Sequence, residues 1–481
     1  MSRAGSWNLA SRIVAVLLIA VSYGLTRPPS VSKAERDLLA ESFAFEGVPL
    51  PTLRGAAQNS IRAVHPSLEM IDAWISSVGA GVALADLDND TFANDLCVVD
   101  PRSDAVIVQP VPGTGARYAA FRLDAPPGDY DPATVAPMGA VPGDFNEDGR
   151  MDVVVYYWGR TPVIFQRVLP GMGPGSFIAV PLVEGSQRWF TNALTTADVN
   201  GDGHVDLIVG NYFADQAAIL DPTDDAPQRM QHSMSRAANA GVNRLFLGRP
   251  DGVTCAFELV SEPWSDAVAR GWTLAVAAGD LDGDLLPEIY FANDFGPDRL
   301  LHNRSENGTV AFAVVEGKKG FTTPNSKVLG HDSFKGMGAE FADLDGDGLL
   351  DIYVSNIAAE FALEESHFLY VNTGDRTAWA EGRAPFRDAS EPLGLSRSVW
   401  GWDAKLADFN NDGILEAIQA TGFVRGEVNR WPELHEIAMG NDELLQYPAS
   451  WHKFRAGDDL SGSDHNPFFV RRGERFVDLA P

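Results

Sequence analysis

Six acidic strings along the chain set side-chain oxygens at positions one, three, five and nine of a short loop. That spacing can enclose a hard cation once a backbone carbonyl at position seven joins them. The strings run over residues 86–95 (DLDNDTFAND), 144–152 (DFNEDGRMD), 198–206 (DVNGDGHVD), 280–288 (DLDGDLLPE), 343–351 (DLDGDGLLD) and 408–416 (DFNNDGILE). In the second copy Asp144, Asn146 and Asp148 alternate inward, Gly149 permits the bend, and Asp152 closes the site from the start of the following segment. The same positions give Asp198, Asn200, Asp202 and Asp206 in the third copy and Asp280, Asp282, Asp284 and Glu288 in the fourth. The fifth offers Asp343, Asp345, Asp347 and Asp351, and the sixth Asp408, Asn410, Asp412 and Glu416. The first offers Asp86, Asp88 and Asp90, closed by either Asn94 or Asp95. Calcium suits this oxygen set best, up to six ions in all.

An EF-hand is excluded, because its position twelve must be a bidentate Glu between two helices. Here position twelve is Cys97, Val155, Val209, Phe291, Val354 or Gln419. Simple polar turns do not require three or four clustered like charges, so the loops read as metal sites of structural purpose. Thr91 and Leu285 stand where the other copies carry Gly, which sets the first and fourth loops apart in geometry.

The loops must be held by strands. A small or apolar lead-in (GVALA, AEFA, AKLA) precedes each, and a run rich in Val, Ile, Tyr and Phe (LCVVD, VVVYYW, LIVGNYF, IYFAND, IYVSN, AIQATGF) follows. Most copies continue with a third strand (AVIVQPV, NRLFLGR, DRLLHN, HFLYVN, PFFVRRG) and a fourth (YAAFRLD, AFELVSE, AFAVVEG, PFRDAS, RFVDLA). Each period therefore holds four antiparallel strands, the content of one propeller blade. The expected fold is an all-β propeller over residues 79–481 with six blades counted, and a seventh could come only from residues 42–77. That stretch reads as partly helical, around 34–41 and 67–74. Two long insertions, 221–242 and 425–464, fall at corresponding places in the third and sixth blades, so they should emerge on one face and mark it as the recognition surface.

Composition narrows the function. Sixty-six Asp and Glu against 37 Lys and Arg give a net charge of −29, the wrong sign for nucleic acid. Two cysteines in 481 residues exclude a disulfide scaffold, and Cys97 and Cys255, in different blades, read as buried thiols. Residues 1–30 read as a signal peptide or membrane anchor. Arg3 and Arg12 precede an apolar run from Ile13 to Leu25, which is short for a span and suited to a secretory leader with cleavage after Gly24; Pro28 and Pro29 break it. Residues 31–78 form an N-terminal extension, and the whole is expected outside the cytoplasm, touching membrane only through an uncleaved anchor.

DFNEDGRMD, DVNGDGHVD, DLDGDGLLD and DFNNDGILE resemble the calcium loops of FG-GAP/VCBS repeats, as in the integrin α-chain propeller and many secreted bacterial proteins. GMGAEFADLDGDGLLDIYVSN with the closing RFVDLA is similar in particular to the cartilage-acidic-protein/UnbV branch. Integrin propellers have seven blades, against the six counted here. The resemblance implies a head used for adhesion or protein contact, and some propellers of the class bind or cleave polysaccharides.

No HExxH or GxSxG pattern is present, so no catalytic residue is assigned. His331, Asp332 and Lys335 share one loop, and His435, His452 and His465 lie in or at the edge of the last insertion; these read as surface or packing groups. Tyr156, Tyr157, Trp158, Trp400 and Trp402 read as core, whereas Trp431 and Trp451 sit in the insertion and are candidates for sugar stacking. Asn303 and Asn307 begin glycosylation sequons. The expected function is a protein- or glycan-binding module with its ligand on the insertion face. The alternative is a polysaccharide lyase or hydrolase on the same scaffold.

Overall fold

In the computed structural model, which describes residues 3–26, 31–50, 58–321, 323–359, 363, 365–439 and 442–480, every acidic string is the bend between two antiparallel strands. The first blade comprises Gly81–Ala85, Asp95–Asp100, Ala105–Pro110 and Phe121–Arg122; the second Ala136–Gly143, Asp152–Trp158, Val163–Arg167 and Phe177–Pro181. The third is Thr191–Ala197, Asp206–Asn211, Arg244–Gly248 and Phe257–Leu259; the fourth Thr273–Gly279, Glu288–Asn293, Arg299–Asn303 and Phe312–Val315. Gly338–Ala342, Asp351–Ser355, Phe368–Asn372 and Phe386–Asp388 make the fifth, and Gly401–Ala407, Glu416–Thr421, Phe468–Arg472 and Arg475–Asp478 the sixth. The blades are arranged as a β-propeller. In each, the closing acid of the loop is the first residue of the second strand.

The second strands of the second to fifth blades are apolar on both faces because each lies between two neighbouring blades, whereas that of the sixth, Glu416–Thr421, leaves one face exposed. Val154 and Ile164 of the second blade pack with Leu207, Val209 and Phe246 of the third, and Tyr290 and Leu300 of the fourth with Ile352 and Phe368 of the fifth. Each such side chain contributes about 1.5–3 kcal/mol by leaving water, which is why stacked blades are stable where a lone sheet is not.

Among the described residues there are six four-stranded sheets, and residues 42–77 add no seventh. The extension instead runs along the seam between the last and first blades. Helix Lys33–Ala40 sends Arg36 to the carbonyl of Asp478 at 2.8 Å. Phe43 and Phe45 lie edge-on to Phe468, at 5.0 and 5.1 Å. Farther on, the Asn59 N–H donates to the Arg102 carbonyl at 2.8 Å and Arg62 pairs with Asp104, both in the first blade. The expected second helical stretch is a 3-10 turn, Pro66–Ile71, continued by helix Asp72–Ser76. At the amino terminus the apolar run lies in helix Arg3–Thr26, with Ile13, Leu17 and Ile19 exposed; Pro28 and Pro29 lie outside the described residues. Among the described residues no helix is long and apolar enough to cross a membrane.

The two insertions do share a face. The Met230 N–H of the first donates to the Gln446 carbonyl of the second at 3.0 Å, and Phe295 at the end of the fourth blade meets Trp451. Both insertions join a second strand to a third, so they emerge at the end of the blades opposite the acidic loops.

Candidate functional site

All six loops fold by one set of bonds. The position-one carboxylate accepts the N–H groups of positions five and six: Asp144 from Asp148 and Gly149 (3.0 and 2.8 Å), Asp198 from Asp202 and Gly203 (3.1 and 2.8 Å), Asp408 from Asp412 and Gly413 (3.0 and 2.7 Å). Asp86, Asp280 and Asp343 do the same in the other three. The position-five acids accept the N–H of position seven in every copy. Three carboxylates gather within 4.8 Å in the first loop (Asp86, Asp88, Asp90), the fourth (Asp280, Asp282, Asp284) and the fifth (Asp343, Asp345, Asp347). In the second, third and sixth loops Asn146, Asn200 and Asn410 supply an amide oxygen in place of the middle acid. An all-oxygen set of this kind fits calcium.

Two positions per loop lie in the left-handed region. Position four carries Asn89, Glu147, Gly201, Gly283, Gly346 and Asn411; position six carries Thr91, Gly149, Gly203, Leu285, Gly348 and Gly413, at φ between 75° and 87°. Thr91 and Leu285 thus take the backbone geometry that Gly has at this position in the other copies, and hold it under strain. Leu285 is 88% exposed, so its side chain contributes no packing. Leu285→Gly should therefore raise stability by roughly 0.5–1 kcal/mol, the strain relieved less the entropy returned to the unfolded chain, read as a higher urea midpoint.

The closing acids are buried and clamp each blade. Asp206 accepts from Val199 in its loop and from Gly248 in the third strand, both at 2.8 Å; Asp351 accepts from Leu344 at 3.0 Å and Asn372 at 2.9 Å. Asp152 and Glu288 bridge in the same way, and Glu416 holds Phe409. In the first loop Asp95 takes this role, bonding the N–H groups of Leu87 and Asp88, while Asn94 donates to Asp90. Burial pushes Asp152, Asp206 and Asp351 up to about 6 and Glu288 to about 8, with the backbone donors opposing.

Two partners were not legible in the acidic motif itself. Arg117, from the turn between the third and fourth strands of the first blade, enters the first loop. Its guanidinium pairs with Asp88, meets Asp95 at 2.6 Å and the Asn94 carbonyl at 2.7 Å, and reaches Asp90 at 3.3 Å. His302 faces the fourth loop, Nε2 3.1 Å from Asp282, one residue before the strand end that caps Glu288. The departures from pattern in the first loop, a Thr for Gly and an extra residue before Asp95, were the available signal for Arg117.

On the opposite face lies a largely apolar cavity. Its walls come from both insertions (Met230, Met234, Leu434, Trp451), from Trp74 on helix Asp72–Ser76, and from blades two to six, including Trp158, Tyr212 and Trp402. Trp451 is thus buried cavity wall and Trp431 is half-buried against Trp400 at 5.8 Å, so neither stands free as an exposed sugar platform. Tyr157, Trp158 and Trp400 are buried, as expected of core. His331 pairs with Glu316 at 3.0 Å and His465 with Asp478 at 2.9 Å. Cys97 and Cys255 are buried free thiols. Asn303 is buried with its amide donating to Val199 and Pro287, so its sequon cannot be modified in the folded chain.

The FG-GAP-like repeat model matches residues 280–354, from the fourth loop through the fifth, and the FG-GAP repeat model matches residues 190–225 around the third. Cartilage acidic protein 1 of Xenopus tropicalis is 28% identical over 183 residues, and that of Homo sapiens 29%. Each match takes in 38% of this chain and only 25% of the relative, so the chain covers a quarter of their length. Among solved structures, a Bacillus licheniformis rhamnogalacturonan lyase aligns over 76% of this chain and 66% of its own at 14% identity and a TM-score of 0.34, a likeness too remote to bear on activity. The two matched repeat models fall within a β-propeller of six blades that each bend at the same acidic loop, and they support an FG-GAP β-propeller family for the chain.

Proposed function

We propose that the chain is an exported, calcium-stabilised propeller that acts as a binding or adhesion module, with its ligand held where the two insertions meet. The observation that carries this reading is the cavity walled jointly by residues 221–242, 425–464 and the mouth of the ring. Opposite it, the acidic loops brace the blades. The apolar run within helix Arg3–Thr26 supports export by way of a leader. A ligand screen spanning glycans and proteins, with product formation followed in parallel, is expected to give saturable binding without turnover. Release of reducing or unsaturated sugars would instead establish the polysaccharide-active alternative.

Loops two to six are the calcium sites in this reading, and in loop one Arg117 supplies the positive charge itself. Metal analysis after dialysis against calcium should find five ions per chain. Arg117→Gln leaves Asp86, Asp88, Asp90 and Asp95 uncompensated and should add a sixth; an unchanged count would show that the arginine does not stand in for the ion.

A further inference from the structure

The walls of the cavity are dry in a specific sense: their hydrogen-bond donors are already engaged by the protein. Trp74 donates to the His452 carbonyl (3.1 Å), Trp158 to Asn192 Oδ1 (2.6 Å), Trp400 to Met337 Sδ (3.2 Å), Trp402 to the Gly422 carbonyl (2.6 Å) and Trp451 to the Leu445 carbonyl (3.0 Å). Five indoles therefore present carbon faces only. Lys335 is held by Glu365 at 2.7 Å, and Ser77 by the Trp74 carbonyl. Tyr212 donates to Asp294 Oδ2 at 2.6 Å, and among the described residues the other oxygen of Asp294 has no hydrogen bond. Asp294 is 7% exposed and lines the cavity.

A sugar would bury hydroxyls against these walls without partners, and an anion would meet a carboxylate inside a strongly acidic protein. Indole and phenol faces attract a cation through their negative π-faces, more so away from water, and a buried carboxylate completes the match. We propose that the cavity binds an organic ammonium, its apolar body against the indole faces and its charged nitrogen against Asp294. The proposal rests on the reading of the insertion face as a ligand site, and narrows it to a chemical class.

The charged and titratable groups around Asp294 are Tyr212, Lys335 and Glu365. Burial pushes its carboxyl up to about 7, with the Tyr212 bond and Lys335 opposing and Glu365 reinforcing. Only the ionised form pairs with the ligand, so affinity should rise roughly tenfold from pH 6 to pH 8.

The test is a tryptophan-fluorescence titration of the calcium-loaded full chain with benzyltrimethylammonium, its carbon isostere neopentylbenzene, and cellohexaose. The ammonium should bind saturably and at least tenfold tighter than the isostere. Asp294→Asn should erase that preference, and Trp402→Leu should weaken both ligands. Equal binding of the isostere, or no saturable response to the ammonium, overturns the proposal. Saturable binding of cellohexaose in place of the ammonium overturns it while leaving the insertion face a ligand site. Should Asp294→Asn not fold, the pH series on the unmodified chain decides: affinity flat across pH 6 to 8 removes Asp294 from recognition.

Discussion

In excess EGTA the melting temperature is expected to fall by roughly 10–20 °C relative to millimolar calcium. In the fourth and fifth loops three carboxylates lie within 4.8 Å of one another. At an effective dielectric near 20 a pair of like charges at about 4 Å repels by about 4 kcal/mol, and a bound dication turns that repulsion into attraction. A ligand at about a thousand times its dissociation constant stabilises by about 4 kcal/mol per site. Several such sites set against the unfolding entropy of a chain this long give several degrees each. Magnesium should restore little, because it demands a tighter octahedron than these loops offer. Superimposable melting curves with and without EGTA would show that the loops hold no ion that matters to stability.

The blades were legible because two periodicities coincide in this chain: an acidic nonapeptide every 54 to 82 residues, and a four-strand pattern of β-branched and aromatic runs hung on it. Even the short fourth strands, such as Phe386–Asp388, fell where RFVDLA-like runs placed them. What stayed hidden depends on long-range contact. Arg117 lies 22 residues from Asp95 in an unremarkable turn, and nothing local says that its guanidinium enters the first loop. Trp451 read as a candidate ligand platform because it sits in an insertion, yet that insertion folds back over the ring and buries it beside Phe295. Asp294 carried no motif at all, and Lys335 stood out only as a loop neighbour of His331 and Asp332, read as a surface or packing group. Their importance arises only when five blades converge on one axis. The extension was a candidate seventh blade by elimination, but its residues lack alternation, and the seam takes Phe43 and Phe45 as packing side chains instead of strands.

Replacing Asp351 by Ala should cost on the order of 3–5 kcal/mol in calcium and nearly as much in EGTA, whereas Asp347→Asn should change sign between the two conditions. The fifth loop is the cleanest place to ask, since among the described residues no Lys, Arg or His side chain pairs with its acids. Asp351 is 1% exposed and holds two backbone N–H groups, Leu344 in the loop and Asn372 in the third strand. Losing it leaves both donors buried without an acceptor, a penalty that does not depend on any ion. Asp347 instead keeps its local bond to the Leu349 N–H as an amide, at 2.9 Å in the native loop, and loses only charge. With calcium that lost charge weakens the ion's hold; without calcium it relieves repulsion from Asp343 and Asp345, so the variant should gain about 1 kcal/mol. Urea unfolding of both variants in each condition reads the four values. Equal losses for Asp347→Asn with and without EGTA would mean that its carboxylate serves the fold alone, and an Asp351→Ala loss confined to calcium would make the closing acid a ligand before it is a clamp.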